Sequence, residues 1–169
     1  MKKTALVLLF LGTYALVQSQ SKVGTVEVDY ILSKMPELAV VNDSINAYGT
    51  KLDVQIQGKI NQYQKLIEAY NAGEGTFTQE QAQEKQVEIY TLENEINKVR
   101  QNAIQLLQIK DNELKRPLYE KIGASLQKIA KAESYTQIFS INVDSDLVYI
   151  DPNYDITNAI LKDLGLPLD

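Results

Sequence analysis

The chain of 169 residues has no cysteine and no histidine. Without cysteine no disulfide can staple the fold and no thiol can carry a lipid at its start, so stability must come from packing. Without histidine the usual general base and the commonest metal ligand are both missing. Catalysis starts with poor means. Cations are also in short supply: with Lys2 and Lys3 set aside, acidic residues outnumber Lys and Arg by seven. That excess argues against nucleic acid as a partner, because counterion release needs clustered cations. No run of like charge is long enough to form a tail.

What is present amounts to one ordinary domain, with 44% hydrophobic and 23% charged residues. The beginning reads apart from the rest. Lys2 and Lys3 precede the thirteen-residue apolar run ALVLLFLGTYALV, and Val17-Gln18-Ser19 follows as a small-residue cleavage signature. We expect residues 1–19 to be a signal peptide, cleaved near Gln20. The apolar run is shorter than the roughly 20 residues that a spanning helix needs, so no stable membrane insertion is expected after cleavage.

Four prolines punctuate the sequence, and two of them bracket a long segment. Pro36 lies 39 residues before Gly75 and Pro117 lies 42 after it. On the first arm, apolar residues recur at Val41, Ile45, Tyr48, Leu52, Ile56, Ile60, Tyr63, Ile67 and Tyr70. On the second they recur at Leu92, Ile96, Val99, Ala103 and Leu106. Steps of three and four are the seam spacing of packed helices. Each arm has one narrow apolar stripe and a broad wet face, so the two stripes must meet. Gly49 and Gly58 weaken the first arm by about 1 kcal/mol each against alanine and should bend it.

The stretch YNAGEGTFTQEQ supplies the fold-back. Gly73 and Gly75 tolerate the positive φ that ends a helix, and Thr78 with Gln81 fits a capping box that starts the next one, with Phe77 and Ala82 as its staple. A phosphate-gripping loop is excluded, since no strand precedes the glycines and no Lys-Ser or Lys-Thr follows them. A linker between two domains is the better rival, but the short gap between arms of matched period favours the tip of an αα-hairpin.

Both chain ends look like sheet. KVGTVEV, residues 22–28, and TQIFSINV, residues 136–143, carry β-branched and aromatic residues, and Asp144-Ser145-Asp146 reads as a turn into LVYI, residues 147–150. Val26, Val28, Phe139, Ile141, Val148 and Ile150 are the body positions expected to build the sheet and to meet other copies of the chain. Helical spacing persists past Pro117 through Leu118, Ile122, Leu126 and Ile129, so Pro117 reads as a kink. A short helix follows Asp155, with Ala159, Ile160 and Leu164 on one side. The fold class is α+β: a body from residues 20–35 and 118–169, with an antiparallel helical hairpin of residues 36–117 inserted between its strands.

These features resemble the Skp/OmpH family of periplasmic chaperones. The opening VGTVEVDYIL is similar to the family's start, and LVYIDPNYDITNAILKDLGL is similar to its tail, matched at Tyr149, Asp151, Pro152, Asp155, Ile156 and Thr157. The resemblance implies a homotrimer joined through its β-strands, with three hairpins hanging as tentacles around a cavity that holds unfolded outer-membrane β-barrel proteins without ATP. Family tentacles are commonly basic, whereas residues 36–116 here hold nine Lys or Arg against twelve Asp or Glu. No lipopolysaccharide site is carried over.

Tyr63, Ile67, Tyr70, Phe77 and Tyr90 lie near the tip and are candidates for client contact, since tyrosine offers an apolar body with a polar end. Of these, Tyr63, Ile67 and Tyr70 fit the hairpin seam better than a client surface, whereas Phe77 and Tyr90 suit either role. Asp144, Asp146, Asp151 and Asp155 suggest calcium but lack the glycine and closing glutamate of an EF-hand, so turn and cap roles suit them better. No catalytic residue, cofactor or metal is expected. The rival to a holdase is an exported coiled-coil adaptor whose arms dock one folded partner.

Overall fold

The computed structural model describes residues 21–142 and 147–168. Residues 1–19, read as a signal peptide, and the turn expected at residues 144–146 lie outside the described residues. The elements are β1 (Val23–Val26), α1 (Val28–Lys34), α2 (Glu37–Gly73), α3 (Gln79–Ala132), β2 (Gln137–Ser140), a 3-10 turn (Pro152–Tyr154) and α4 (Thr157–Asp163). The chain divides into two compact units: Pro36–Pro117, and the residues up to Met35 together with those from Leu118 onward.

In the second of these, the body, β1 and β2 pair in parallel, with Val23 opposite Gln137 and Val26 opposite Ser140. Parallel strands need a long crossover, and here it contains the whole hairpin. Gly24, Thr25 and Val26 are all buried, which marks β1 as covered on both faces. Its other edge meets the tail: Thr25 bridges Asp155, and the Ile156 N–H donates to Thr25 O at 2.9 Å.

Strand propensity misread the residues after β1. Val28 opens α1 instead of extending the strand, because turning into a helix places Ile31 and Leu32 on one buried face. LVYI forms no strand either: residues 147–150 are irregular, with Val148 fully exposed and Ile150 half-buried. Alternation there had no sheet face to bury. Pro117 lies inside α3 without ending it. Beyond it, Leu118, Ile122 and Ile129 join Ile31, Leu32, Ile156, Ile160 and Leu161 in the body core. Burying each of these side chains stabilises the unit by about 1.5–3 kcal/mol.

The tail residues are fixed by hydrogen bonds. Asp155 Oδ1 accepts from the Thr157 N–H at 2.9 Å and from its hydroxyl at 2.6 Å, while Thr157 Oγ1 accepts from the Glu27 N–H at 2.9 Å. One buried threonine thus joins the start of α4 to the end of β1. Asp151 caps the 3-10 turn by accepting from the Asn153 N–H at 3.0 Å. Asp163, at the end of α4, is held by Lys128 and by Ser125 of α3. Those two hydrogen bonds lower its pKa below the ordinary aspartate value, chiefly through Lys128.

Candidate functional site

The Pro36–Pro117 unit is an antiparallel hairpin. Gly49 faces Leu107, Lys59 bonds Glu95, and Tyr70 bonds Gln86, so paired positions climb one helix as they descend the other. Its seam is thin. Only Val41, Leu52, Ile96 and Ala103 are fully buried within it, and the remaining seam residues are half-covered. The second stripe departs from its expected register at one point: Leu107, which packs on Gly49, takes the inward place, and Leu106 is exposed. Steps of three and four fit either residue, so spacing alone did not separate them.

The tip is built from local rules. Thr78 Oγ1 accepts from the Gln81 N–H at 3.2 Å, and Gln81 Oε1 accepts from the Thr78 N–H at 3.0 Å, which closes the capping box of α3. Gly75 has φ of +89°, a left-handed conformation that side chains resist. Gly73 serves differently. It is the last residue of α2 and has no positive φ; the Phe77 ring lies directly on it, and a Cβ there would meet Phe77 Cε2 at 2.7 Å. Phe77 also stacks on Tyr70, with ring centroids 6.0 Å apart, and the Tyr70 hydroxyl accepts from Gln86 Nε2 at 2.8 Å.

The five residues singled out in the sequence therefore separate into three places. Tyr70 and Phe77 come together at the tip. Tyr63 and Ile67 are half-buried along the seam, Tyr63 lining an open groove with Ile60, Ile96 and Arg100. Tyr90 points away from the seam and is 66% exposed. Sequence reading passed over other exposed apolar side chains: Val40, Val54, Val87, Ile104 and Ile109. The signal for them was their position off the stripe, where an apolar residue has no helix to cover it.

Lys59 Nζ donates to Glu95 across the hairpin at 2.7 Å, and this hydrogen bond, with the lysine's charge, lowers the Glu95 pKa. Lys59 is about a third exposed and Glu95 about half, so solvent screens the pair and the link aligns the helices more than it stabilises them. Among the described residues no group of three acidic side chains is placed to hold a metal ion, and no helix is long and apolar enough to cross a membrane.

The glycine at the tip gives a direct test. Gly73→Ala should displace the Phe77 ring and unstack it from Tyr70, with a net stability change within about 1 kcal/mol, because the better helix propensity of alanine offsets the lost packing. Gly58→Ala, in the same helix with open space around its Cβ, should instead stabilise by about 0.5–1 kcal/mol. Ring chemical shifts of Tyr70 and Phe77, read beside thermal melts, distinguish the two. Retention of the stacked shifts in Gly73→Ala would show that the ring has room to slide aside.

Residues 22–164 match the sequence profile of a family described as outer membrane protein (OmpH-like). No curated protein matches the chain. Among solved structures it is similar to an OmpH-like protein from Caulobacter crescentus CB15, proposed to be an outer membrane chaperone, with a TM-score of 0.64 at 12% identity over 86% of this chain and 85% of that one. At that identity the likeness is one of fold. The profile match spans the body and the hairpin alike, from the residue before β1 to the residue after α4, and on it the chain belongs to the OmpH-like family.

Proposed function

We propose that the chain is an ATP-independent holdase chaperone of the periplasm, working as a homotrimer, whose helical arms bind unfolded outer-membrane proteins and prevent their aggregation. One observation carries this reading. The hairpin leaves Val40, Val54, Val87, Tyr90, Ile104 and Ile109 in water, scattered along both helices. A folded partner is gripped through a compact, buried centre. A chain without fixed structure is better held by many separate weak contacts, none of which traps it. The family supports a chaperone role, and a periplasmic site agrees with the family and with the signal-like start.

The body favours self-association. Among the described residues β2 has no second strand neighbour, and Phe139 at 49% exposure lies on it. Leu147, Val148 and Tyr149 are exposed as well. Open strand edges with apolar surroundings are places where another chain adds. Copies of this chain would cover them.

The test is light scattering on the mature protein, alone and after a urea-unfolded outer-membrane barrel is diluted into it. A three-chain particle that takes up the barrel as a soluble complex is the expected result. A three-chain particle beside aggregated barrel would move the function to an adaptor, and a monomer would overturn the trimer.

A further inference from the structure

The seam of the hairpin is not uniform along its length. Val41, Leu52, Ile96 and Ala103, its fully buried side chains, all lie toward the open end. From residue 53 around the tip to residue 95, no side chain is fully buried. The residues that fill the seam there are also poorer. On α3 the inward places Ala82, Lys85, Ile89 and Leu92 follow at steps of three and four, and each is half-covered. A methyl group and an ammonium stand where larger apolar side chains would pack, and a lysine at a seam place costs stability. Lys85 turns to Glu88 of its own helix at 2.8 Å.

Two grooves flank this stretch at one level. One, of about 670 Å³, is lined by Lys65, Leu66, Glu88 and Leu92 among others. The second, of about 300 Å³, is lined by Tyr63, Gln64, Asn97 and Arg100 among others. On each helix the two sets fall to either side of the inward row, so the grooves open on opposite sides of the seam. Between them the helices touch along a narrow line. The hydrogen bonds from Lys59 to Glu95 and from Gln86 to Tyr70 cross the hairpin here, and both are exposed. Gly58, at the base of the stretch, is the poorest helix former short of proline.

We infer that residues 58–95 come apart as one local unit while the level of Leu52 and Ala103 stays paired, and that the opened seam offers Tyr63, Ile67 and Leu92 to a client. A region's resistance to opening follows the apolar contacts that it buries, and this one buries few. Each helical piece of the unit is marginal without its partner, so separation and fraying go together. A rigid swing of both helices would be a different motion, because it would keep the seam shut. Use of the opened seam by clients rests on the holdase reading; the opening itself does not.

The test begins with hydrogen exchange of the mature protein alone. Amides of residues 60–94 should exchange at least about tenfold faster than those of residues 42–52 and 97–106. Gly58→Ala, whose added methyl meets nothing within 4 Å, should slow the whole unit about twofold to fivefold, residues 80–94 across the hairpin included. Uniform exchange along both arms, or slowing confined to α2, overturns the inference. Tyr48 and Tyr63 are both half-buried and on the seam, one on each side of the boundary. Each is then replaced by photoreactive benzoylphenylalanine and challenged with a urea-unfolded barrel. Position 63 should crosslink to it, position 48 should not, and Gly58→Ala should lower the yield at 63. Equal crosslinking from both positions, or a yield that Gly58→Ala leaves unchanged, overturns the seam as a client surface. The two readings fail separately: a barrel that aggregates despite fast distal exchange defeats the holdase, and a soluble barrel beside uniform exchange defeats the opening.

Discussion

Ile160→Ala should remove about 2–5 kcal/mol from the body and cost β1 and α4 their amide-exchange protection. Ile160 is wholly buried in α4, as are Ile31 of α1 and Leu161 beside it. Its neighbours are held by the Thr157 and Asp155 hydrogen bonds and by the Ile156 amide on Thr25, so they cannot simply collapse into the space that the lost side chain leaves. Val148→Ala, at a fully exposed position, should change stability by no more than about 0.5 kcal/mol. Hydrogen exchange followed by mass spectrometry reads both units at once: the Pro36–Pro117 peptides should keep their protection in Ile160→Ala. Loss of protection throughout the chain would mean that the hairpin depends on the body core, and unchanged protection of β1 would mean that α4 contributes little to it.

Gly24→Val should destabilise the same unit by about 1–3 kcal/mol through overpacking. A Cβ at Gly24 would lie 2.7 Å from Tyr135 Cε1 and 3.1 Å from Tyr154 O. The tyrosine ring has its own partner, since Lys22 Nζ sits 3.8 Å from its centroid, and the Tyr154 carbonyl belongs to backbone beside the Asp155 bridge. Neither gives way freely. The expected signature is a lower urea midpoint for the body, with weakened exchange protection at the Ile156 amide that bonds Thr25. A variant as stable as the parent would show that the tail can retreat from β1 without cost.

The hairpin was the most readable part of the sequence, because it is written in local rules. Seam spacing needs only the helical period, and Thr78 with Gln81 needs only each other. Gly73 shows where such rules stop: its composition suggested a backbone role, yet the structure gives it a packing role set by Phe77, four residues on. Leu106 and Leu107 failed for a related reason, as the choice between adjacent seam positions depends on Gly49 across the hairpin. The body was harder still. Val28 and residues 147–150 have strand-forming side chains, but whether they become strand depends on partners far along the chain. At the candidate surface, Tyr90 was visible from its chemistry, while Val87, Ile104 and Ile109 could be found only by asking which apolar residues fall off the seam stripe.

The parallel pairing of β1 with β2 also sets an order of events. A ribosome delivers Val23–Val26 more than a hundred residues ahead of Gln137–Ser140, and the tail that closes the other edge of β1 arrives later still. Both arms of the hairpin can meet as soon as α3 emerges, since their contacts span short loops near the tip and lengthen only gradually away from it. The first strand must therefore wait, unpaired, until nearly the whole polypeptide has been made. A chain that stops before residue 137 would own two good helices and a bare, apolar ribbon in search of a partner, so copies truncated there should aggregate where the full chain does not.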